Sequence, residues 1–219
     1  AGIAVAPNNE LNSLTMGAVG RGTVLEKVQV SYGNDDGFEW FGGTVNAKHL
    51  ISYGILDDDF DADNGYSGKV QFGLVKRFRT VADVSTSQAI ETDNDANGSF
   101  NRPITSATFS NFTLIGPIQD TSWTTGSGPN QYNARFGAAM QIRRNSRLSV
   151  FNTVVLGWPR GIEIAQVPTM NAANTDSLAV RNSNWFGIKG SWLNLAGGTP
   201  PAGMDANWVA KNEYANGAD

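Results

Sequence analysis

The chain has no cysteine, which excludes disulfides, thiolate zinc sites and cysteine nucleophiles. It has a single histidine, His49, so histidine-based zinc sites and His-dependent triads lack the partners they need. A lone histidine reads first as a strand residue with a satisfied side chain. No apolar run approaches the roughly 18 residues of a membrane-spanning helix, and the opening AGIAVAPNNE, without Met, is not expected to be a secretory leader. Charge is also scarce: 16% of residues are Asp, Glu, Lys or Arg, with a net charge of −4. The few basic residues form no stripe that could meet phosphates, which argues against nucleic acid as a partner.

What remains is rich in Gly, Thr, Ser, Asn and Val, with no long amphipathic helical period. That balance favours an all-β chain. An internal repeat sharpens it. TVLEKVQVSYGNDDGFEWFGG (23–43) lies over TVNAKHLISYGILDDDFDADNG (44–65), with Thr23 on Thr44, Lys27 on Lys48 and Ser31-Tyr32-Gly33 on Ser52-Tyr53-Gly54. One inserted residue then brings Asp35-Asp36 onto Asp57-Asp58 and Phe38-Glu39 onto Phe60-Asp61. The apolar–acidic pair recurs as Ile90-Glu91 and Ile162-Glu163, with Met140-Gln141 as a neutral copy. A second signature, Asn followed by Gly five positions later, appears in NFTLIG (111–116), NTVVLG (152–157) and NSNWFG (182–187).

A unit this short cannot bury its own apolar face, but stacked copies form a continuous core. Short strand-forming runs between Gly, Asn and Asp turns predict a right-handed parallel β-helix with rungs of about 22 residues and long loop insertions. A β-sandwich is the rival architecture. The rungs are assigned to residues 1–196, with a Gly/Pro/Asn-rich segment at 197–219 containing one short helical turn near 205–214. Residues 1–10 read like the middle of a rung, so the chain is expected to be part of a longer polypeptide.

The stretch GNDDGFEWFGGTVNAKHLISYGILDDDFDADNGYSGKVQFG, with ETDND (91–95) and FSNFTLIGP (109–117), resembles a family of large surface and secreted Bacteroidota proteins carrying pectate-lyase-like β-helices. That resemblance implies the fold and an extracellular or outer-membrane-surface location. It carries no assigned activity.

Five aspartates crowd ILDDDFDADNG: Asp57, Asp58, Asp59, Asp61 and Asp63. Equivalent residues on stacked rungs lie about 4.8 Å apart, so Asp36 falls beside Asp58, and Glu39 beside Asp61 and Glu91. Asp93 crowds the same edge. Such an array is tolerable if pKa values rise or a cation binds. Clustered hard oxygens suit Ca²⁺ better than the stricter Mg²⁺, giving Asp36, Asp57, Asp58, Asp59, Asp61, Asp63, Glu91 and Asp93 as candidate ligands. The alternative is a hydrated turn ladder in which each carboxylate accepts an N–H from the next rung.

Aromatic residues at turns offer flat faces to sugars, with Trp40, Trp123 and Tyr132 the candidates. The alternative is packing inside the coil. KRFR (76–79) and RRNSR (143–147) read as solvated turns. The expected role is a noncatalytic, Ca²⁺-stabilised surface or secreted domain that binds a glycan or another surface protein. The alternative is a calcium-dependent polysaccharide lyase acting on a uronate polymer, with Lys69, Arg77 or Arg102 as the base. A two-carboxylate glycoside hydrolase ranks lower, because the Gly-His-Gly and Arg-Ile-Lys signatures expected of polygalacturonases are absent.

Overall fold

A computed structural model describes residues 11–215; the first ten residues, read above as a mid-rung segment, lie outside that range. The chain alternates between two parallel sheets. The strands in order are β1 (Leu14–Gly17), β2 (Leu25–Ser31), β3 (Phe38–Phe41), β4 (Ala47–Tyr53), β5 (Phe60–Asp63), β6 (Lys69–Lys76), β7 (Ile90–Thr92), β8 (Thr108–Ser110), β9 (Thr113–Ile115), β10 (Thr124–Thr125) and β11 (Gln131–Tyr132). They continue as β12 (Ala138–Ile142), β13 (Ser149–Phe151), β14 (Val154–Leu156), β15 (Arg160–Ala165), β16 (Val180–Arg181), β17 (Asn184–Phe186), β18 (Leu193–Ala196) and β19 (Glu213–Ala215). Two helices, α1 (Val167–Asn174) and α2 (Met204–Val209), interrupt the later rungs.

The first sheet stacks β1, β3, β5, β7, β12, β15 and β18; the second collects ten strands, β2, β4, β6 and the short pairs that follow them. Each coil contributes one strand to the first sheet and one straight or bent strand to the second, as a parallel β-helix requires. β10 and β11 form a small separate ribbon in the 119–135 insertion.

The bend in the second sheet has a residue-level cause. Lys27, His49 and Phe72 occupy one register position, and each has a left-handed backbone. In later rungs the same position is Asn111, Asn152 or Asn182, again left-handed, and there the strand divides in two. Asparagine tolerates this conformation at little cost, which is why the Asn signature recurs. Its Gly marks the next corner: Gly157 has φ +67°, and a Cβ there would collide with the Ile118 carbonyl. The lone His49 is an exposed strand residue whose ring stacks on Phe72 at 5.0 Å.

The interior column runs Leu14, Phe38, Phe60, Ile90, Met140, Ile162 and Leu193, in register through every strand of the first sheet. Phe38 and Phe60 stack at 5.1 Å. Trp40, Trp158 and Trp185 are fully buried, so the bulk of the tryptophan lies inside the coil. Trp40 finds space because its register partner on the next rung is Ala62, and it stacks on Tyr66 at 5.2 Å.

One part of the sequence alignment is corrected. Ser31 pairs with Tyr53 and Val30 with Ser52, not Ser31 with Ser52, so the extra residue lies before β4. This register puts Val28 over Leu50 and keeps the inward faces aligned; a one-residue slip would turn every side chain to the opposite face. The coil also continues past Ala196. Met204 and Trp208 of α2 are buried, and β19 pairs with β17, so the 197–219 segment supplies a strand of the second sheet.

Candidate functional site

On the first sheet the residue after each interior one points outward. Glu39, Asp61, Glu91, Gln141, Glu163 and Asn194 therefore form one column across six rungs. Beside it runs a second column in the turn before the strands. There Asp36 N–H donates to Asn12 Oδ1 at 3.2 Å, Asp58 N–H to Asp36 Oδ1 at 2.8 Å, and Gln88 N–H to Asp58 Oδ1 at 2.5 Å. Asp93 N–H donates to Asp63 Oδ1 at 2.9 Å in the same way. The hydrogen-bonded ladder is thus real, and it satisfies one oxygen of each of these acids.

The two ends of the outward column differ in charge balance. Toward the C-terminus, Arg143 meets Glu91 at 2.5 Å and Asp93 at 2.9 Å, Arg144 meets Asp93 at 2.5 Å, and Arg160 meets Glu163 at 3.3 Å. Gln141 and Asn194 donate to Glu163 as well. Toward the N-terminus, among the described residues, no Lys or Arg pairs with Asp36, Glu39, Asp58 or Asp61. Carboxylate oxygens of Asp36, Glu39 and Asp61 nevertheless lie within 4.8 Å of one another, as do those of Asp35, Asp36 and Asp57. Asp36 belongs to both groups.

The electrostatic consequence is uniform. Burial, reinforced by neighbouring carboxylates, holds Asp36, Asp58 and Asp61 well above the usual range. Burial and then the charges of Asp35, Asp63 and Glu91 push Glu39 up to about 8. Asp57 and Asp63 rise to about 6 by burial. Glu91 reaches about 7, burial outweighing Arg143. Among the described residues, the buried Asp61 Oδ1 has no hydrogen-bond partner, and Asp61 is only 8% exposed. Buried acceptors are normally satisfied, so this oxygen stands out within the cluster.

Several sequence candidates are placed elsewhere. Asp59 lies apart from the acidic clusters: it is wholly buried against Arg77 at 2.6 Å and accepts from Ser52 at 2.5 Å. Arg77 is accordingly neither a solvated turn residue nor a free base. It also donates to the carbonyls of Ile55, Asp57 and Gln88. Glu91 and Asp93 are ion-paired with Arg143 and Arg144, which likewise corrects the reading of RRNSR as a solvated turn. Trp40 and Tyr132 are buried, at 0% and 5% exposure, and present no face to a sugar. Trp123 is half-buried and lines a small cavity of about 360 Å³ with Lys76 and Arg79. Two contributors to the acidic clusters, Asp35 and Glu39, were outside the candidate ligand set. The repeat had already aligned both with acidic partners.

The sequence profile of the pectate-lyase-like β-helix domain matches residues 1–216. The chain belongs to that family. Neither a curated protein nor a solved structure gives a match. Membership in a pectate-lyase-like β-helix family points to a carbohydrate-related role, and the stacked rungs supply the geometry that the family description names. No helix among the described residues is long and apolar enough to cross a membrane.

Proposed function

We propose that this pectate-lyase-like β-helix is a noncatalytic, exported carbohydrate-related scaffold whose acidic edge is held together by Ca²⁺ at Asp36, Glu39 and Asp61. The observation that carries this reading is the buried, unpartnered Oδ1 of Asp61 in a group of three converging carboxylates that, among the described residues, pairs with no Lys or Arg. Two unit charges about 4.8 Å apart repel by roughly 3 kcal/mol at an effective dielectric of about 20. A divalent cation removes that penalty for several pairs at once. Clustered hard carboxylate oxygens are the donor type Ca²⁺ prefers.

The noncatalytic reading rests on where the basic residues go. A lyase needs a base near the ion, yet Arg77 is sealed against Asp59 and Arg143 is tied to Glu91 and Asp93. Lys69 faces outward on the second sheet, and Arg102 is an exposed loop residue before β8. The test is a melting curve in EGTA against one in Ca²⁺. A Ca²⁺-dependent rise supports the scaffold role, and identical curves count against the ion. Release of unsaturated uronides from pectate or alginate would replace the scaffold with a lyase.

A further inference from the structure

KRFR (76–79) ends β6 and turns the corner of the coil, and of its four residues only Arg77 is buried. Lys76, Phe78 and Arg79 are half-buried. With Pro117, Gln119 and Trp123 of the 119–135 region they line the cavity of about 360 Å³. No Asp or Glu lines it. Arg79 Nη1 donates to the carbonyls of Ser127, Gly128 and Gln131 at 3.2, 2.7 and 3.2 Å, which fixes the guanidinium without cancelling its charge. Among the described residues, neither Lys76 nor Arg79 pairs with a carboxylate. Asp120, the nearest acid along the insertion, accepts the Ser122 N–H at 2.8 Å and feels the charge of Lys189.

The cavity continues into an aromatic step on the same corner. Phe78, one of its walls, stacks near-parallel on Tyr32 at 6.2 Å and meets Tyr53 edge-on at 5.0 Å. Gly54 makes room for this packing, since a Cβ there would stand 2.8 Å from the Phe78 ring. Tyr32 is 55% exposed and has a left-handed backbone, φ +57°. Register extended past β2 places it over Gly54, and later rungs keep glycine at that corner, Gly157 and Gly187, at φ +67° and +62°. A bulky residue in this conformation costs roughly 1–2 kcal/mol. The strained, solvent-facing ring is thus retained where the fold itself asks for glycine.

We infer that this corner docks a partner protein through an acidic segment: a carboxylate enters the cavity against Lys76 and Arg79, and a neighbouring apolar side chain lies on the Tyr32–Phe78 step. Partly dehydrated cations without a counter-charge are costly, and a guanidinium held in place is the group that recognises carboxylates. In a chain of net charge −4 the pair gives the corner a sign opposite to the rest, so charge selects the partner. Tyr, Trp and Arg side by side are also the anchors of protein interfaces. A small anion would fill the cavity and leave the aromatic step uncovered; a peptide covers both. Recognition is by side chains, because β4 and β6 are already paired on both sides and offer no edge for an added strand. The acidic edge and the carbohydrate-related role are not involved.

The test is selection of phage-displayed random peptides on the immobilised protein in EGTA, followed by fluorescence anisotropy of the enriched peptides. The expected sequences place Asp or Glu next to an aromatic or aliphatic residue, and their binding weakens as salt rises. Lys76→Glu is expected to weaken it at least tenfold, the equivalent of roughly 1.4 kcal/mol, while Lys76→Arg retains it. Tyr32→Asn, which suits the left-handed backbone but removes the ring, is expected to weaken it by a similar factor with the fold kept. Enriched peptides without acidic residues, or acidic ones that Lys76→Glu and Tyr32→Asn bind as tightly as the native protein does, would overturn the docking site. So would an unenriched library. Quenching of tryptophan fluorescence by 1-naphthoate, lost in Trp123→Phe, with no peptide enriched would make the cavity a small-molecule site instead. Each of these results leaves the carbohydrate-related reading and the Ca²⁺ melting shift to their own tests.

Discussion

Replacing Asp61 with Asn separates a cation site from a merely crowded turn, because the two predict opposite signs in different media. Asp61 is more than nine-tenths buried, and its column neighbours on the adjoining rungs are Glu39 and Glu91. Asp36 also converges on it. One fully charged pair at rung spacing costs roughly 3 kcal/mol at an effective dielectric of about 20. Proton uptake at the raised pKa already relieves most of that, so the net relief from Asp61→Asn in EGTA at pH 8 is about 1–2 kcal/mol. For a chain of this size each kcal/mol moves the midpoint by about 2–4 °C, so the variant should melt about 2–8 °C higher than the native protein. In Ca²⁺ the order reverses. Saturation at about a hundred times Kd contributes about 2.7 kcal/mol, and the variant, lacking a ligand, should lose most of it. Differential scanning calorimetry of both proteins in both media reads the crossing directly. A variant destabilised equally with and without Ca²⁺ would refute the reasoning and make Asp61 a structural acceptor only.

Three further outcomes follow. In EGTA, carboxyls whose pKa is raised by folding hold protons that the unfolded chain has released, so stability should fall as pH rises from about 4.5 to about 8, the window set by Glu39. Ca²⁺, which needs the ionised form, should flatten that slope, and melting curves across pH check both. Arg77→Met leaves the Asp59 carboxyl buried without its guanidinium and should cost about 3–5 kcal/mol by denaturant titration; a loss under 1 kcal/mol would contradict the buried-pair assignment. Trp40→Ala should cost about 3–5 kcal/mol of stability without altering peptide binding, since its ring lies among Phe38, Phe60 and Tyr66.

The parts of this architecture that the sequence reveals are those imposed equally on every rung. Phe38, Phe60, Ile90, Met140 and Ile162 recur because each fills the same interior slot, and Asn111, Asn152 and Asn182 recur because each bends the chain at the same corner. The β2–β4 register was harder to read. Ser-Tyr-Gly occurs twice, and matching identical letters hid a one-residue shift that only the inward placement of Val30 and Ser52 resolves. Counter-charges were illegible for a different reason. Arg143 reaches Glu91 and Asp93 across an insertion of no fixed length, so no spacing rule connects them. Arg77 looked solvated inside KRFR, yet its neighbours alternate in and out along the end of a strand, and the inward turn carries it to Asp59. The aromatic residues show the same limit: composition gives their number, while burial depends on which rung offers an Ala or Gly opposite.

The most direct measurement is the electron density between Asp36, Glu39 and Asp61 in crystals of the domain grown with Ca²⁺ at pH 8. A cation bonded to oxygens from all three side chains at about 2.3–2.6 Å is the predicted result. Density showing the carboxyls hydrogen-bonded to one another, with no ion between them, would contradict it.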